Sequence, residues 1–272
     1  MQSAFAADLR RNRRIGATQV LGSRPVNKRS REPEPPVKPV AVFQFYKNDG
    51  ACFFGDHLRS RGVPIQVFEL FRGQEAPASL QAFCGLSLLG GPMSVNDDWD
   101  ALRHSERLVN EALRDDIPMF GHCLGGQLIS RALGGRVTAA EQAEIGWSSI
   151  RAHGHHLARY WFGQDAFPMF QWHNETFTIP AGAELIATGE FCRQQAFAIG
   201  RLHVGVQFHC EIDRSKIECW LVEEGSEEIE RFASSPAVAS RETIRLQTDA
   251  FLEHGQQVSA HLYDRWLERL AR

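Results

Sequence analysis

Short apolar runs alternate with amphipathic segments between residues 40 and 133, and this alternation restricts the fold more than any other feature of the sequence. The runs are rich in residues that favour β-strands, and the segments between them have the apolar spacing of helices. The predicted strands are 40–45, 65–68, 86–89 and 118–121, and the predicted helices are 50–61, 100–115 and 124–133. Strands that alternate with helices through short connections pair in parallel. The sequence therefore predicts an α/β fold with a mostly parallel central sheet flanked by helices.

The second half of the chain has a different pattern, because its strands follow one another mostly without helices between them. The predicted strands are 136–139, 146–151, 169–172, 185–188, 195–199 and 204–208. After Asp213 the pattern is helical, and one helix face is predicted to contain Ile244, Phe251, Val258, Leu262 and Trp266. No further segment has a core of its own. We predict a basic extension over residues 1–38, a globular α/β domain over 39–224 and a helical C-terminal extension over 225–272 that packs on this domain.

Residues 1–38 differ from the rest of the chain in charge. They contain nine lysines or arginines and three acidic residues, whereas the whole chain has a net charge of −3. Large apolar residues are scarce here, and the prolines from Pro33 to Pro36 prevent a regular helix. We predict a disordered extension. Two other interpretations stay open, an organelle transit peptide and a segment that contacts nucleic acid or a partner.

Composition also restricts the location and the partners of the chain. Its six cysteines form no C-x-x-C pair and follow no secretory apolar segment, which indicates a reducing compartment with free thiols. No run approaches the roughly 18 apolar residues that a membrane helix needs. Beyond residue 38 the chain is acidic, which gives no general case for nucleic-acid binding. We predict a cytoplasmic protein that binds neither nucleic acid nor membranes.

The segment Gly121-His122-Cys123-Leu124-Gly125-Gly126-Gln127 lies where a predicted strand meets a predicted helix. A G-x-nucleophile-x-G pattern at this junction is the nucleophile elbow, in which small residues allow a sharp turn that exposes the central side chain. The helix N-terminus favours a thiolate at Cys123, and its N–H groups can stabilise an oxyanion. Taken alone, the segment is equally consistent with a buried, inert cysteine in a glycine-rich turn.

A second segment, Val204 to Glu211, supplies a base and a carboxylate. Residues two apart in an extended chain point to the same side, so His209 and Glu211 lie together and Glu211 can orient the imidazole. The segment ends an apolar strand of the same sheet as the elbow. Gly90-Gly91-Pro92 follows the third predicted strand, where glycine N–H groups can form a small anion cradle, although a plain turn is the simpler interpretation.

No sequence motif indicates a cofactor or a metal. The chain contains neither the phosphate loop G-x-x-x-x-G-K-[ST] nor the dinucleotide fingerprint G-x-G-x-x-G, so activation of a carboxylate by ATP is not expected. His153, His155 and His156 are close in sequence but have no cysteine or carboxylate at ligand spacing, and we predict a surface turn there. We therefore predict no cofactor and no bound metal.

The two catalytic segments together resemble the class I (triad-type) glutamine amidotransferases. The resemblance rests on G-x-C-x-G-x-Q followed by Q-F-H-x-E, covers residues 39–211, and extends to Gly90-Gly91-Pro92 and to 144–147. The free-standing GMP-synthase-like amidotransferases are the closest group, and the helical tail is similar to theirs. The resemblance implies a flavodoxin-like α/β fold.

The resemblance also implies roles for particular residues. Cys123 matches the nucleophile, His209 the general base and acid, and Glu211 the third member of the triad. The N–H groups of Gly91 and Leu124 match the oxyanion hole, and Gln127 and His173 match positions that contact the substrate. The segment Trp172-His173-Asn174-Glu175 departs from the Ser/Trp-His-Gly-Asp loop of many members at its last two residues, and Cys210 stands where most members have proline.

The implied activity is hydrolysis of the γ-amide of glutamine through a cysteine thioester, with ammonia passed to an acceptor. The chain contains no recognisable synthase, so an acceptor enzyme would be a separate polypeptide. Two alternatives stay open: a stand-alone γ-glutamyl peptide hydrolase with the same triad, and a non-catalytic relative that binds a partner. The intact Cys123, His209 and Glu211 favour catalysis.

Overall fold

A computed structural model describes residues 37–223 and 225–270 of the 272-residue chain. The predicted disordered basic extension lies outside these residues, apart from positions 37 and 38. Residues Val37–Arg272 form one compact unit. In the described part of the chain, no helix is both long enough and apolar enough to cross a membrane.

A nine-stranded sheet in the order β2-β1-β3-β4-β9-β8-β7-β5-β6 forms the centre of the structure. Its strands are β1 (Val40–Gln44), β2 (Ile65–Glu69), β3 (Gly85–Leu88), β4 (Met119–His122), β5 (Val137–Ala152), β6 (Ala166–Phe177), β7 (Glu184–Thr188), β8 (Ala196–Ile199) and β9 (His203–Val206). The strands from β2 to β9 in this order pair in parallel, whereas the ladders from β9 to β6 are antiparallel. The α/β fold is therefore confirmed, with a sheet that is mixed because its second half is antiparallel.

Seven α-helices lie outside the sheet in the described residues. They are α1 (Cys52–Ser60), α2 (Asp100–Arg114), α3 (Leu124–Ala132), α4 (His156–Phe162), α5 (Arg214–Glu223), α6 (Gly225–Arg231) and α7 (Arg241–Leu267). The first three agree with the predicted helices to within a few residues. The strands between these helices are recognisable in the sequence because both faces of a parallel strand are buried, which makes the whole run apolar.

The side chains of β1 alternate between two core clusters on opposite faces of the sheet. Val40 and Val42 pack with residues of α1, α4 and α7, whereas Ala41 and Phe43 pack with residues of α2 and α3. This two-residue alternation is the expected geometry of an extended strand. Helices therefore cover both faces of the parallel half of the sheet.

The antiparallel half differs from the predicted pattern in two places. The predicted strands 136–139 and 146–151 are parts of one strand, β5, whose register with β6 shifts between Ala139 and Glu144. The ladder with β6 stops at Ala139 and resumes at Glu144, so residues 140–143 form a bulge within one continuous strand. The predicted turn at residues 153–156 leads into α4, and the His155 ring accepts a hydrogen bond from the Ala158 N–H at the start of that helix.

The predicted C-terminal helix is present as α7, which packs on the sheet and on α1 and α4. Val258, Leu262 and Trp266 are buried as the spacing predicts, but Phe251 is 38% exposed. Tyr263, which the spacing did not select, is completely buried. The apolar side chains of the second half of α7 pack in the main core cluster. Phe251, in the first half of the helix, lies outside this cluster and contacts Trp147.

Candidate active site

Cys123 lies between β4 and α3 in a strained backbone conformation with φ 47° and ψ −107°. A positive φ is costly for a residue other than glycine and persists only where the surroundings enforce it. Here the Cys123 N–H donates to the Val206 carbonyl at 2.9 Å, and the Cys123 carbonyl accepts from the Gln127 N–H at 3.0 Å. A Cβ on Gly125 would lie 2.1 Å from the Leu88 carbonyl oxygen, so the turn needs glycine there. This is the geometry of a nucleophile elbow.

His209 and Glu211 follow β9, the strand beside β4, and both are buried. The backbone N–H of His209 donates a hydrogen bond to the Phe170 carbonyl at 2.8 Å, and this bond fixes the chain that follows β9 against β6. The ring nitrogen Nδ1 is 2.8 Å from Glu211 Oε1, and the imidazole lines the same cavity as the Cys123 side chain, which interacts with it electrostatically. The structure thus brings together all three residues that the sequence predicted as a triad.

Charge couples these three groups. Burial lowers the pKa of His209, but the interactions of its ring with the Glu211 carboxylate and with the Cys123 side chain outweigh burial and raise this pKa to about 10. Burial also acts to raise the pKa of Glu211, yet the positive charges of Lys216 and His209 hold it well below its usual value. Near neutral pH the arrangement therefore favours an imidazolium beside an ionised carboxylate, and it can stabilise a thiolate.

Lys216 is a member of this cluster that sequence reasoning missed. Its side chain is almost completely buried in the first turn of α5, with Nζ 2.7 Å from Glu211 Oε1 and 3.7 Å from Asp49 Oδ1. Nζ also lies 4.8 Å from the ring centre of Trp220, whose ring is 4.8 Å from that of His209. The clue in the sequence is a lysine directly before Ile217, in the segment after Asp213 that is predicted to be helical.

A second network lies behind the triad and centres on Tyr263 of α7. The Tyr263 hydroxyl is 3.2 Å from His122 Nε2 and 3.2 Å from Cys210 Sγ, so it can donate its proton to one and accept from the other. His122 directly precedes Cys123, and Cys210 lies between His209 and Glu211 in the chain. Cys210 is therefore held by a hydrogen bond from the C-terminal helix.

The predicted oxyanion-hole residues lie next to each other and beside the triad. Gly91 lines the same cavity as Cys123 and His209, and a Cβ on Gly91 would lie 3.0 Å from Leu124 Cδ2. Leu124 is the first residue of α3, so its N–H has no acceptor within the helix. A Cβ on Gly90 would lie 2.9 Å from His209 Cε1, so this loop packs directly on the imidazole. That the N–H groups of Gly91 and Leu124 bind an oxyanion stays a prediction.

The two predicted substrate-contacting residues have different surroundings. Gln127 lines the cavity, and its Nε2 donates to the Glu175 carbonyl at 3.2 Å. His173 also lines the cavity, but its Nε2 is 3.0 Å from Glu144 Oε2 and its Nδ1 is 3.0 Å from the Glu175 carbonyl. With both ring nitrogens engaged by the protein, the His173 ring is fixed against the backbone of β6 at Glu175, and a direct contact with substrate stays a prediction.

A cavity of about 440 Å³ opens in front of Cys123 and His209. Its acidic lining residues are Asp49, Glu175, Glu223, Glu227 and Glu228, and its aromatic ones are Tyr46, Trp172, Trp220 and Phe232. Within the described ranges 37–223 and 225–270, no lysine or arginine lines it. The size is that of a small-molecule site.

Metal-ligating side chains meet in two buried clusters among the described residues. They are His122 with Cys210 and Glu211, and Glu144 with His173 and Cys192. Hydrogen bonds within the protein already engage most of these groups, including His122 with Tyr263 and Glu144 with both His173 and Gln195. That the protein binds no metal stays a prediction.

An elbow cysteine with a histidine and a carboxylate at the end of the neighbouring parallel strand is the arrangement of the α/β cysteine hydrolases with a triad. Comparison with known proteins narrows this class. The family model of class-I glutamine amidotransferases matches residues 55–224. The crystal structure of a glutamine amidotransferase from Methylobacillus flagellatus superposes with a TM-score of 0.81 at 34% identity, covering 87% of this chain and 96% of that one.

Curated relatives agree with this result. A glutamine amidotransferase-like protein of Salmonella typhimurium, YfeJ, is 28% identical over 165 residues, which cover 58% of this chain and 69% of YfeJ. One subunit of a glutamine-hydrolysing GMP synthase from Saccharolobus solfataricus is 30% identical over 161 residues, covering 59% and 82% respectively. The match to the full-length GMP synthase of Alkalilimnicola ehrlichii, at 30% identity and 57% of this chain, spans only 30% of that enzyme. This protein belongs to the class I glutamine amidotransferase family.

Proposed function

We propose that this protein hydrolyses the γ-amide of a glutamyl group through a thioester on Cys123. The observation that carries the proposal is the triad geometry: a strained elbow cysteine, the His209 imidazole on the same cavity, and Glu211 Oε1 2.8 Å from His209 Nδ1. Each group has the environment that its role requires. Because the pKa of His209 is about 10, its ring is an imidazolium near neutral pH. The imidazolium can give a proton to the leaving nitrogen and provides a counter-charge for the thiolate.

The proposed reaction has two stages. The Cys123 thiolate attacks the γ-carbonyl carbon, and the N–H groups of Gly91 and Leu124 stabilise the oxygen that becomes negative. His209 gives its proton to the departing nitrogen, the C–N bond breaks, and a γ-glutamyl thioester remains. His209 then takes a proton from water, the hydroxide attacks the thioester, and glutamate leaves while the thiolate forms again. Glu211 keeps the imidazole oriented throughout.

Glutamine is the first candidate for the amide, with ammonia passed to a separate synthase subunit. The relative in Saccharolobus solfataricus supports this candidate, because it is named as a subunit of a GMP synthase. The match covers 82% of that subunit. A partner-dependent enzyme is expected to hydrolyse glutamine slowly alone, because docking completes the site in the loop around Gly91. A cytoplasmic location stays a prediction.

The second candidate is a stand-alone hydrolase of a larger γ-glutamyl compound. Glutamine has about ten non-hydrogen atoms, and even at the full volume of a water molecule each, about 30 Å³, they occupy about 300 Å³. The cavity of about 440 Å³ therefore leaves room for a group attached to the amide nitrogen. The reaction steps are the same for both candidates.

The test measures ammonia release from glutamine and amine release from γ-glutamyl compounds by the purified full chain. Mass spectrometry of the acid-quenched protein should detect a γ-glutamyl adduct on Cys123 in wild type. Cys123→Ala should give neither product nor adduct. Cys219→Ala is the matched control, because Cys219 is half-buried outside the cavity lining. A wild-type chain that forms no adduct with any γ-glutamyl compound would favour the non-catalytic alternative.

A further inference from the structure

Gln207, the glutamine of the pattern Q-F-H-x-E, is a buried residue that contacts the nucleophile. It directly follows β9, and its backbone N–H donates to the Gln195 carbonyl at 2.8 Å. Its side chain is completely buried and does not line the cavity, yet its Nε2 is 3.6 Å from Cys123 Sγ. The amide group therefore reaches the reacting sulfur from the protein interior, on the far side of any bound substrate.

A chain of hydrogen bonds that begins at a backbone carbonyl orients this amide group. The Glu175 carbonyl can only accept hydrogen bonds, so the Gln127 side chain turns its NH2 group towards it, at 3.2 Å. The same Nε2 of Gln127 donates to Gln207 Oε1 at 3.4 Å. Because its oxygen accepts this bond, Gln207 presents its own NH2 group to Cys123 Sγ.

A hydrogen-bond donor at this position favours the negatively charged form of the sulfur. The neutral thiol can donate its proton to the Trp172 carbonyl, which is 3.8 Å from Sγ, but a carbonyl has no proton to offer a thiolate. The Gln207 amide can donate to a thiolate, and a hydrogen bond to a charged group is stronger than one to a neutral group. The amide also keeps its protons throughout the reaction, whereas the His209 imidazolium gives one away.

We propose that Gln207 is a further catalytic residue, whose amide N–H stabilises negative charge on the Cys123 sulfur. This inference rests on the proposed function and adds a fourth side chain to the reaction. Without a bound substrate, the Gln207 amide favours the thiolate over the thiol. Its loss would therefore reduce the fraction of Cys123 that is ready to attack at a given pH.

The donor acts most strongly in the second stage of the reaction. When hydroxide has added to the thioester carbonyl, the C–S bond breaks and its electron pair goes to the sulfur. The Gln207 N–H donates to the thiolate that forms, and no proton leaves the amide. In the first stage the sulfur loses negative charge as it bonds to carbon, so the same hydrogen bond weakens there. Gln207 is therefore expected to assist thioester hydrolysis more than thioester formation.

The first test measures thiolate formation without any substrate. Gln207→Met removes the donor and keeps a side chain of similar length. Alkylation of Cys123 by iodoacetamide is followed across pH, with the labelled residue identified by mass spectrometry. We expect the midpoint of this profile to move to higher pH by about one unit, the effect of one hydrogen bond to a charged group. An unchanged midpoint would overturn the proposal.

The shift can be assigned to the amide because the charged surroundings of Cys123 stay the same in this variant. The titratable groups that share the cavity with Cys123 are His209, His173, Tyr46, Asp49, Glu175 and the carboxylates of α5 and α6. Glu211 and Lys216 lie behind the imidazole. None of these groups is altered, and methionine introduces no charge.

The second test measures the balance between the two stages of the reaction. Wild type and Gln207→Met are quenched with acid during turnover of saturating glutamine or γ-glutamyl 4-nitroanilide, at a pH above both alkylation midpoints. Slower breakage of the C–S bond leaves more thioester, so we expect the ratio of γ-glutamylated to free Cys123 to rise by about tenfold. A ratio equal to or below that of wild type would overturn the proposal.

Gln171→Met is the matched control. Gln171 is also a buried glutamine, and its Nε2 donates to Ser148 and to Gln195, but it does not line the cavity. This variant should lose stability and keep the wild-type alkylation midpoint. An equal shift in Gln171→Met would mean that any lost buried amide has this effect, and it would refute the assignment. Gln207→Leu, with a shorter side chain, repeats both tests, and melting temperatures confirm that each variant is folded.

The two tests separate this inference from the proposed function. A wild-type chain that forms no γ-glutamyl adduct, together with a shifted alkylation midpoint in Gln207→Met, would refute the proposed reaction and support the contact of the amide with the thiolate. An adduct in wild type, with the same ratio and the same midpoint in Gln207→Met, would support the reaction and refute the role of Gln207.

Discussion

Tyr263→Phe removes one oxygen atom from the centre of the network behind the triad and leaves the aromatic packing in place. The lost hydroxyl is 3.2 Å from both His122 Nε2 and Cys210 Sγ, and all three side chains are buried. Two hydrogen bonds contribute about 1–3 kcal/mol together. In a domain of this size that loss lowers the melting temperature by about 2–12 °C.

The effect on catalysis follows from the chain positions of the two partners. His122 is the chain neighbour of Cys123, and Cys210 lies between His209 and Glu211. Without the Tyr263 hydroxyl, the segment that carries Cys123 can therefore shift against the segment that carries His209 and Glu211. Since a displacement of 1 Å can cost about 10²-fold in rate, we expect kcat to fall by about 10- to 100-fold with little change in KM. Iodoacetamide alkylation of Cys123 should slow as well, and its pH profile should shift.

Tyr160→Phe is the control for this experiment. The Tyr160 hydroxyl also bonds to α7, donating to the Arg265 carbonyl at 3.0 Å, but it touches no neighbour of the triad. This variant should lose some stability and keep its kcat and alkylation profile. If Tyr263→Phe loses stability but keeps wild-type kcat and the wild-type alkylation profile, Tyr263 has only a structural role and the reasoning is wrong.

Four further predictions concern the triad, the pH dependence of stability and the basic extension. Cys123→Ala should lower hydrolysis by at least about 10³-fold while the melting temperature stays close to wild type, and a variant with a tenth of wild-type activity would contradict the elbow assignment. Glu211→Gln should lower kcat by about 10²- to 10⁴-fold, less than loss of His209, because it orients the base without making or breaking a bond; unchanged kinetics would show that the pairing has no role. Because the pKa of His209 is raised, its charge stabilises the fold fully below pH 6.5, and this contribution is lost as pH rises towards about 10. Because the pKa of Glu211 is lowered, its charge stabilises the fold above pH 4.5, and this contribution is lost as pH falls. The free energy of unfolding in urea should therefore decline on both sides of this range, and a flat profile would refute the charge coupling. Deleting residues 1–36 should leave the melting temperature and hydrolysis unchanged, since their composition cannot form a core, and a fall of several degrees would show that they contribute to the fold.

Local sequence determined the parallel half of the sheet and the elbow. The strands β1, β3 and β4 are buried along their whole length, so each is a continuous apolar run that can be recognised without its neighbours. The glycines around Cys123 are recognisable as a short sequence pattern, although the backbone that excludes a side chain at Gly125 and Gly126 belongs to the distant residues Leu88 and Val206. His209 and Glu211 were predictable because they are two residues apart in an extended segment.

The antiparallel half was harder to predict because its strands are stabilised by pairing over a distance. The break at Ala139 to Glu144 is polar in sequence, yet β6 pairs on both sides of it and holds β5 together as one strand. The helix α4 is only seven residues long and would be marginal in isolation, so its stability depends on the burial of Trp161 and Phe162 in the core.

Tertiary structure alone decided the electrostatic surroundings of the triad and the character of the cavity. Lys216 gains its role from Glu211 and from Asp49, which is far away in the chain, and Tyr263 bonds to His122 across 141 residues. The acidic cavity likewise combines β6 with α5 and α6, whose carboxylates resemble ordinary solvent-exposed residues in the sequence. Such contacts leave no periodic pattern, because a charge or hydroxyl acquires its meaning from the partner that folding brings to it. The sequence therefore determines the reactive groups, and the packing of distant helices determines their charge state, their alignment and the ligand they can accept.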